Sequence, residues 1–277
     1  MRIIAITGLA LSGLMFSASA FACENVLDPQ QVQVYHPGKY CLSANRILPI
    51  EIQGSNIELD CRSRSVIAPP GAGAGAGPAG IRAHGENVIV RNCRVDGFDH
   101  GIELDARGAS QLVNNTVVRA KQAPLLVHGN RDPYAEPIRV TGNRVFGYFD
   151  VEPAWSQQPA IQVIGLNRAI LSNNVVAGFR GGRSGLMLVD APDTQLIGNQ
   201  FLDFEGSDRM IRLEQSPRAR VVHNTIMQRD PSVLQGIAGA VDATCVENVF
   251  INTQRSGFSE CAVTRHNVER PLPPQGP

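Results

Sequence analysis

The chain has 277 residues, of which 43% are hydrophobic, and its 25 basic residues balance its 25 acidic residues. This neutral composition argues against a nucleic-acid-binding protein, which would carry a basic excess. Beyond the first 22 residues no stretch is long and apolar enough to span a bilayer. We therefore expect neither nucleic acid nor a membrane span.

The first segment predicts export. Arg2 supplies a basic start, residues 3–16 an apolar core, and Ala20-Phe-Ala22 a cleavage site, so residues 1–22 are predicted to be a signal peptide. A lipoprotein signal also precedes a cysteine, but it favours a larger aliphatic residue where Ala20 stands and a small one where Phe21 stands. We therefore favour a soluble protein that is secreted or periplasmic.

The cysteine content fits the same compartment. All six cysteines follow the predicted cleavage site, and an even number in an oxidising compartment favours disulfides over metal ligation. Their spacing alone leaves fifteen pairings open.

The central part of the chain contains a repeat. Six asparagines share one local frame, with an apolar residue three positions before and another two positions after. Their spacings of 28, 31, 25, 25 and 24 residues suit one rung of a solenoid. They are Asn115, Asn143, Asn174, Asn199, Asn224 and Asn248.

One complete rung resolves into three short strands, at residues 81–84, 87–90 and 94–95, and a new rung opens at Gly101. Stacked rungs of this kind predict an all-β, single-stranded parallel β-helix over residues 47–268. A cap at 23–46 would precede it and a proline-rich disordered tail at 269–277 would follow. We expect the repeated asparagines to adopt the left-handed turn conformation and to form an internal ladder of amide hydrogen bonds.

The rung alignment narrows the cysteine pairing. Cys93 occupies the ladder position in the first full rung, and Cys61 aligns within one residue of it one rung earlier, which places the two within disulfide range. The remaining cysteines are at the two ends of the solenoid, and we pair them likewise. The predicted disulfides are Cys61–Cys93, Cys23–Cys41 and Cys245–Cys261.

Three segments resemble the secreted right-handed β-helix repeat proteins of bacteria, in the pectate-lyase-like superfamily. They are Pro37-Gly-Lys-Tyr-Cys-Leu42, Ser55-Asn-Ile-Glu-Leu-Asp-Cys61 and residues 86–98. The resemblance extends over about residues 37–268 and implies a right-handed coil. It implies no single activity, because that superfamily includes polysaccharide lyases, glycosidases, epimerases and members without known chemistry. The chain has neither a polygalacturonase carboxylate set nor the arginine-proline-arginine spacing of pectate lyases, so no catalytic residue is carried over.

Alternation along the strand that opens each rung predicts an outward column. The second and fourth residues of these strands face solvent. His84, Asp105 and His128 would therefore lie side by side on three successive rungs, with Arg82 and Glu103 beside them.

This column has the chemistry of a general base. An imidazole beside a carboxylate is held in one tautomer and made more basic. On a uronate polymer it would remove the proton α to the carboxylate, and Arg82 or Lys121 would neutralise that carboxylate. A β-elimination or C5 epimerisation would follow. The loops after these strands would bind the substrate through Arg131, Tyr134, Tyr148 and Trp155.

Other interpretations fit the same residues. A solvated strand face is also polar and cross-paired. The column also has the ligand types of a His-Asp-His metal site, although three parallel side chains converge poorly. We predict no cofactor and leave a divalent metal open. The protein would be a lyase or epimerase acting on a polysaccharide or oligosaccharide, a non-catalytic glycan-binding protein, or a structural β-helix protein of the periplasm or cell surface.

Overall fold

The computed structural model describes residues 23–69, 79–129, 131–132, 134–147, 158–180, 184–229 and 233–270. In these ranges the chain forms three parallel sheets that coil around one apolar interior, together with a single short 3-10 helix at Phe258–Glu260. This is the predicted right-handed parallel β-helix, with three short strands per rung. The predicted signal peptide, residues 1–22, and residues 271–277 of the predicted tail lie outside the described residues.

Sheet 1 contains eleven strands, numbered like all strands by their order along the chain. They are β1 (Asn25–Leu27), β3 (Gly38–Leu42), β5 (Ile57–Asp60), β8 (Val88–Arg91), β11 (Gln111–Val113), β14 (Arg139–Thr141), β17 (Ile170–Ser172), β20 (Gln195–Ile197), β23 (Arg220–Val222), β26 (Thr244–Val246) and β28 (Val263–Arg265).

Sheet 2 contains nine strands and includes the strands that open each rung. They are β2 (Gln33–Val34), β4 (Ile50–Gln53), β7 (Ile81–Gly85), β10 (Ile102–Ala106), β13 (Leu125–Gly129), β16 (Ile161–Ile164), β19 (Leu186–Val189), β22 (Arg209–Glu214) and β25 (Gln235–Ala238).

Sheet 3 completes each rung and also contains nine strands. They are β6 (Ser65–Ile67), β9 (Arg94–Asp96), β12 (Thr116–Val118), β15 (Arg144–Phe146), β18 (Val175–Ala177), β21 (Gln200–Leu202), β24 (Thr225–Met227), β27 (Val249–Ile251) and β29 (Val268–Arg270).

The interior is built from alternate side chains of each strand. In β7, Ile81 and Ala83 are fully buried, whereas Arg82 is exposed and His84 is half-buried. The same two-residue period recurs in β10 and β16. In strands that bury one face in this way, a slip of one residue would expose the whole apolar set, so their register is strongly specified.

A ladder of buried asparagines runs along the turn between sheets 1 and 3. Each side-chain amide nitrogen donates to the side-chain oxygen of the asparagine on the next rung, at 2.8–3.1 Å. The ladder extends one member beyond the predicted six, to Asn267. At its other end the backbone N–H of Cys93 donates to Asn115 Oδ1 at 3.0 Å, so Cys93 occupies the ladder position as predicted.

The expectation that the ladder asparagines themselves adopt the left-handed conformation is wrong. That conformation falls one residue earlier, at Asn114 and Asn173 (φ 54° and 55°) and at Gly142 and Gly198 (φ 67° and 65°). The chain turns at this preceding residue. The ladder asparagine can then direct its amide along the stack.

The three predicted disulfides are confirmed. The Cα–Cα distances are 5.9 Å for Cys23–Cys41, 4.7 Å for Cys61–Cys93 and 6.1 Å for Cys245–Cys261. Disulfides of this kind persist in oxidising compartments, which fits an extracellular or periplasmic protein. Among the described residues, no helix is long and apolar enough to cross a membrane.

Candidate active site on the outer face of sheet 2

Strand register brings the predicted column together. Strands β7, β10 and β13 are parallel neighbours, and Asp105 is paired with His84 on one side and with His128 on the other. Glu103 is paired in the same way with Arg82. Neighbouring strands lie about 4.8 Å apart, so these side chains leave the sheet within reach of one another. We call His84, Asp105 and His128 the sheet 2 column.

His84 and Asp105 form the closest pair of this column. His84 Nδ1 lies 2.7 Å from Asp105 Oδ2, and the two side chains are 44% and 49% exposed. The pair is therefore open to solvent on the outer face of sheet 2, and a ligand could reach it without any opening of the core. This geometry suits an imidazole that is oriented by a carboxylate.

A third residue, Arg107, completes the contacts of the imidazole. Its Nη2 lies 3.3 Å from His84 Nε2. A guanidinium can only donate, so Nε2 must be the acceptor and the proton must be on Nδ1, facing Asp105. The tautomer is thus assigned from the hydrogen-bond partners on both sides of the ring.

Arg107 was missed in the sequence, although a signal for it exists. It follows Glu103 and Asp105 at the same two-residue interval, but it stands one position past the end of β10. Continuing the strand alternation by one step would have placed it on the outer face. We call His84, Asp105, Arg107, Arg82 and Glu103 the His84 cluster.

The predicted cations Arg82 and Lys121 are both held by carboxylates. Arg82 Nε and Nη2 donate to Glu103 Oε2 at 3.0 and 2.9 Å. Lys121 precedes β13 by four residues, away from the end that carries His128, and its Nζ lies 3.6 Å from Oδ1 of the buried Asp99.

His128 lies next to Asp105 in the register, but its side chain makes no hydrogen bond with any other described residue. Its side chain is half-buried. Within the part of the chain that the structure describes, no group of three or more His, Cys, Asp or Glu side chains is arranged to hold a metal ion.

Two of the four predicted substrate-binding residues lie near the end of β13. Arg131 crosses two rungs, donating from Nη2 to Asp190 Oδ2 at 2.6 Å, and its carbonyl oxygen accepts from Asn167 at 2.7 Å. Tyr134 is 91% exposed, so its ring is available for stacking. Tyr148 and Trp155 lie outside the described residues.

The polar outer face of sheet 2 extends beyond the His84 cluster. Toward the N-terminus it continues into β4, where Glu51 is the strand partner of Arg82. Hydrogen bonds from Gln53 and Gln33 lower the pKa of the Glu51 carboxyl, and the charge of Arg82 lowers it further. Beyond β13 the position of His128 is continued by apolar side chains, those of Ile164 and Val189.

No protein-family model and no curated protein sequence matches this chain. Among solved structures, it is similar to the A-module of the mannuronan C-5 epimerase AlgE6 from Azotobacter vinelandii. The match has 13% sequence identity and a TM-score of 0.44, and it covers 88% of this chain and 84% of that one. At this level of similarity the match does not assign an activity.

Proposed function

We propose that this protein acts on a uronate polysaccharide and that His84 removes the proton α to a sugar carboxylate. The observation that carries the proposal is the His84–Asp105 pair at 2.7 Å, with the unprotonated Nε2 on the outer side of the ring. A carboxylate that fixes the tautomer and stabilises the imidazolium is the usual support of a histidine base.

The reaction follows from the acidity of the C5–H bond of a uronate. His84 Nε2 takes the C5 proton, and the electron pair of that bond moves into the carboxylate as an enolate, which a nearby cation stabilises. Expulsion of the C4 oxygen substituent by that pair, with a proton passed to the leaving oxygen from the His84 imidazolium or from water, gives an unsaturated end, which is a lyase reaction. Return of a proton to the opposite face of C5 gives the epimer. His128, on the other side of Asp105, would supply that second proton.

The predicted substrate-binding residues of the loops after β13 would position the polymer. In this proposal Tyr134 stacks on a sugar ring and Arg131 contacts a carboxylate, with Tyr148 and Trp155 completing the binding surface. Export of the protein by the signal peptide at residues 1–22 would bring it to such a polymer outside the cytoplasm.

Non-catalytic glycan binding is the second candidate, and one observation favours it. Arg82 is already neutralised by Glu103, as expected on a face whose charges serve solubility and strand pairing. Such a protein would retain the polymer and release no product.

A panel of uronate polysaccharides separates the two candidates. The purified mature protein, supplied with divalent metals, is incubated with polymannuronate, polyguluronate, polygalacturonate and a glucuronate polymer. Unsaturated ends are measured by ultraviolet absorbance and uronate configuration by proton NMR. We expect product from at least one polymer and none with His84→Ala. Absence of product across the panel, with retention of a polymer on the protein, would establish binding alone.

A further inference from the structure

Arg107 differs from the other arginine of the His84 cluster in its partner. Arg82 is paired with a carboxylate, whereas in the described part of the chain Arg107 makes no ion pair, and the hydrogen-bond partner of its guanidinium is the neutral Nε2 of His84. Arg107 is also exposed at the end of β10. The cluster therefore contains one guanidinium whose charge is not neutralised by a neighbouring acid.

The contact between Arg107 and His84 is a weak one. At 3.3 Å it joins a guanidinium N–H to a neutral nitrogen, and only one edge of the guanidinium takes part. A carboxylate accepts two parallel N–H bonds from the same group at shorter distances, and charge-assisted pairs are about twice as strong as neutral ones. A carboxylate ligand would therefore displace the imidazole from Arg107.

We propose that Arg107 is the carboxylate-binding residue of this site and that it exchanges His84 Nε2 for the carboxylate of a sugar acid. In the free protein the guanidinium covers the lone pair of the base. When a uronate binds, Arg107 turns to its carboxylate and uncovers Nε2 next to the carbon whose proton is to be removed. The inference rests on the proposed function and gives Arg107 the task that the sequence assigned to Arg82 or Lys121.

This exchange would make the base selective. A neutral sugar offers no carboxylate, so it leaves Arg107 on His84 and Nε2 covered. A uronate satisfies the guanidinium and frees the base in the same event. The class of ligand is thus a sugar carboxylate, and the group that recognises it also controls access to the proton acceptor.

The test is a ligand titration of the mature protein, labelled with ¹⁵N in histidine and followed by long-range ¹H–¹⁵N NMR. The signals of His84 are assigned by comparison with His84→Gln. Sodium glucuronate is the probe, and glucuronamide is its neutral isostere. We expect the free protein to carry its ring proton on Nδ1 of His84, and glucuronate, but not glucuronamide, to shift the Nε2 signal.

Two arginine variants test whether Arg107 is the residue that binds the carboxylate of glucuronate. Arg107→Gln should weaken the apparent affinity for glucuronate by about tenfold to a hundredfold, the loss expected for a pair of charge-assisted hydrogen bonds. Arg218→Gln is the matched control, since it removes another exposed arginine, one paired with Asp193 at 2.6 and 2.7 Å, and should leave the affinity unchanged. Thermal unfolding verifies that both variants are folded.

Three results would overturn the inference. They are a ring proton on Nε2 in the free protein, no glucuronate-dependent shift of His84 in the unmodified protein, and an unchanged titration in Arg107→Gln. Because the titration measures binding, it is independent of whether any polysaccharide gives product. A failure of the catalytic proposal would leave a positive titration intact.

Discussion

The described residues include two columns of histidine, carboxylate and histidine, and the two columns differ in what surrounds them. The sheet 2 column leaves the outer face of three strands. The second, which we call the corner column, consists of His223, Glu247 and His266 at the turn between sheets 1 and 3. In the corner column His223 Nε2 contacts one oxygen of Glu247, and His266 Nδ1 lies 3.8 Å from the other.

The corner column is explained by the turn on which it stands. Its members have φ values of 56°, 54° and 52°, and each directly precedes an asparagine of the ladder. The spacing of the column is thus imposed by the ladder beneath it. Among the described residues, no arginine contacts its imidazoles, whereas the imidazole of His84 lies between Asp105 and Arg107. The same residue types on successive rungs thus occur in two settings, and the neighbouring arginine is the structural difference between the two columns.

The largest expected effect is on the turnover rate, when the central carboxylate of each column is exchanged for an amide. Asp105→Asn removes the anion that holds the Nδ1 proton of His84, so we expect turnover of the polymer identified in the panel to fall by about 10²- to 10⁴-fold, the usual contribution of a positioned base. Glu247→Gln is the matched change in the corner column and should leave the rate unchanged. Equal rates for the two variants would refute the distinction.

Loss of a ladder asparagine beside the corner column should lower the stability of the fold without changing the rate at the sheet 2 column. Asn248 is fully buried and bonded to Val221 O and Asn267 Oδ1, both at 2.8 Å, so Asn248→Ala leaves buried groups without partners. Each costs about 1–3 kcal/mol, and we expect a total loss of about 2–4 kcal/mol in the free energy of unfolding, measured with urea. Below the unfolding transition the rate should be unchanged, since the His84 cluster lies several rungs away. A parallel loss of rate would show that the two columns are coupled.

The disulfides allow a comparison of how much the N-terminal and C-terminal parts of the β-helix gain in stability from a cross-link. The double variants Cys61→Ala/Cys93→Ala and Cys245→Ala/Cys261→Ala open loops with sequence separations of 32 and 16. Each should lower the free energy of unfolding by about 2–4 kcal/mol. The longer loop should cost about 0.6 kcal/mol more, because loop-closure entropy rises slowly with length. The opposite order in urea unfolding would mean that strain or packing outweighs chain entropy at the C-terminal end.

The smallest expected effect concerns the edge of the polar face. The pKa of Glu51 lies below its ordinary value of 4.5 because Gln53 and Gln33 donate to the carboxylate and Arg82 attracts it. A carboxyl with a lowered pKa in the folded chain stabilises the fold above that ordinary value, and the contribution is lost as pH falls through the folded pKa. In Gln53→Ala we expect the pKa of Glu51 to rise toward the ordinary value, as measured by NMR titration of its side chain. Gln122→Ala, which lies outside this face, should leave the pKa of Glu51 unchanged.

The fold was predictable from the sequence because one buried position repeats. The frame around Asn115 and its successors fixed the register of every rung, and through it the alignment of His84 with Asp105 and of Cys61 with Cys93. The last ladder member, Asn267, was missed because Thr264 and Glu269 replace the apolar residues of the frame. On the final rung these strands are exposed, so the requirement for apolar neighbours is relaxed.

The ion-pair and hydrogen-bond partners within the candidate site were less predictable, because they depend on the conformations of long side chains. Periodicity placed Arg82 beside Glu103 and left open whether Arg82 would bind a substrate or pair with that carboxylate, and the structure shows the pair. It located Lys121 near the start of β13 without showing that its ammonium would be held by Asp99. Arg107 lies one residue beyond β10, where strand alternation no longer predicts which side chains share a face. The corner column lies at turn positions, for which strand alternation predicts no common face.

The most direct test of the central claim is exchange of the C5 proton with solvent. A uronate polymer that binds the protein is incubated in heavy water with the unmodified protein, with His84→Ala and with His223→Ala, and deuterium at C5 is measured by mass spectrometry after hydrolysis. Proton removal by His84 predicts deuterium with the unmodified protein and with His223→Ala, and none with His84→Ala. Incorporation that persists in His84→Ala, or that is lost equally in both variants, would contradict it.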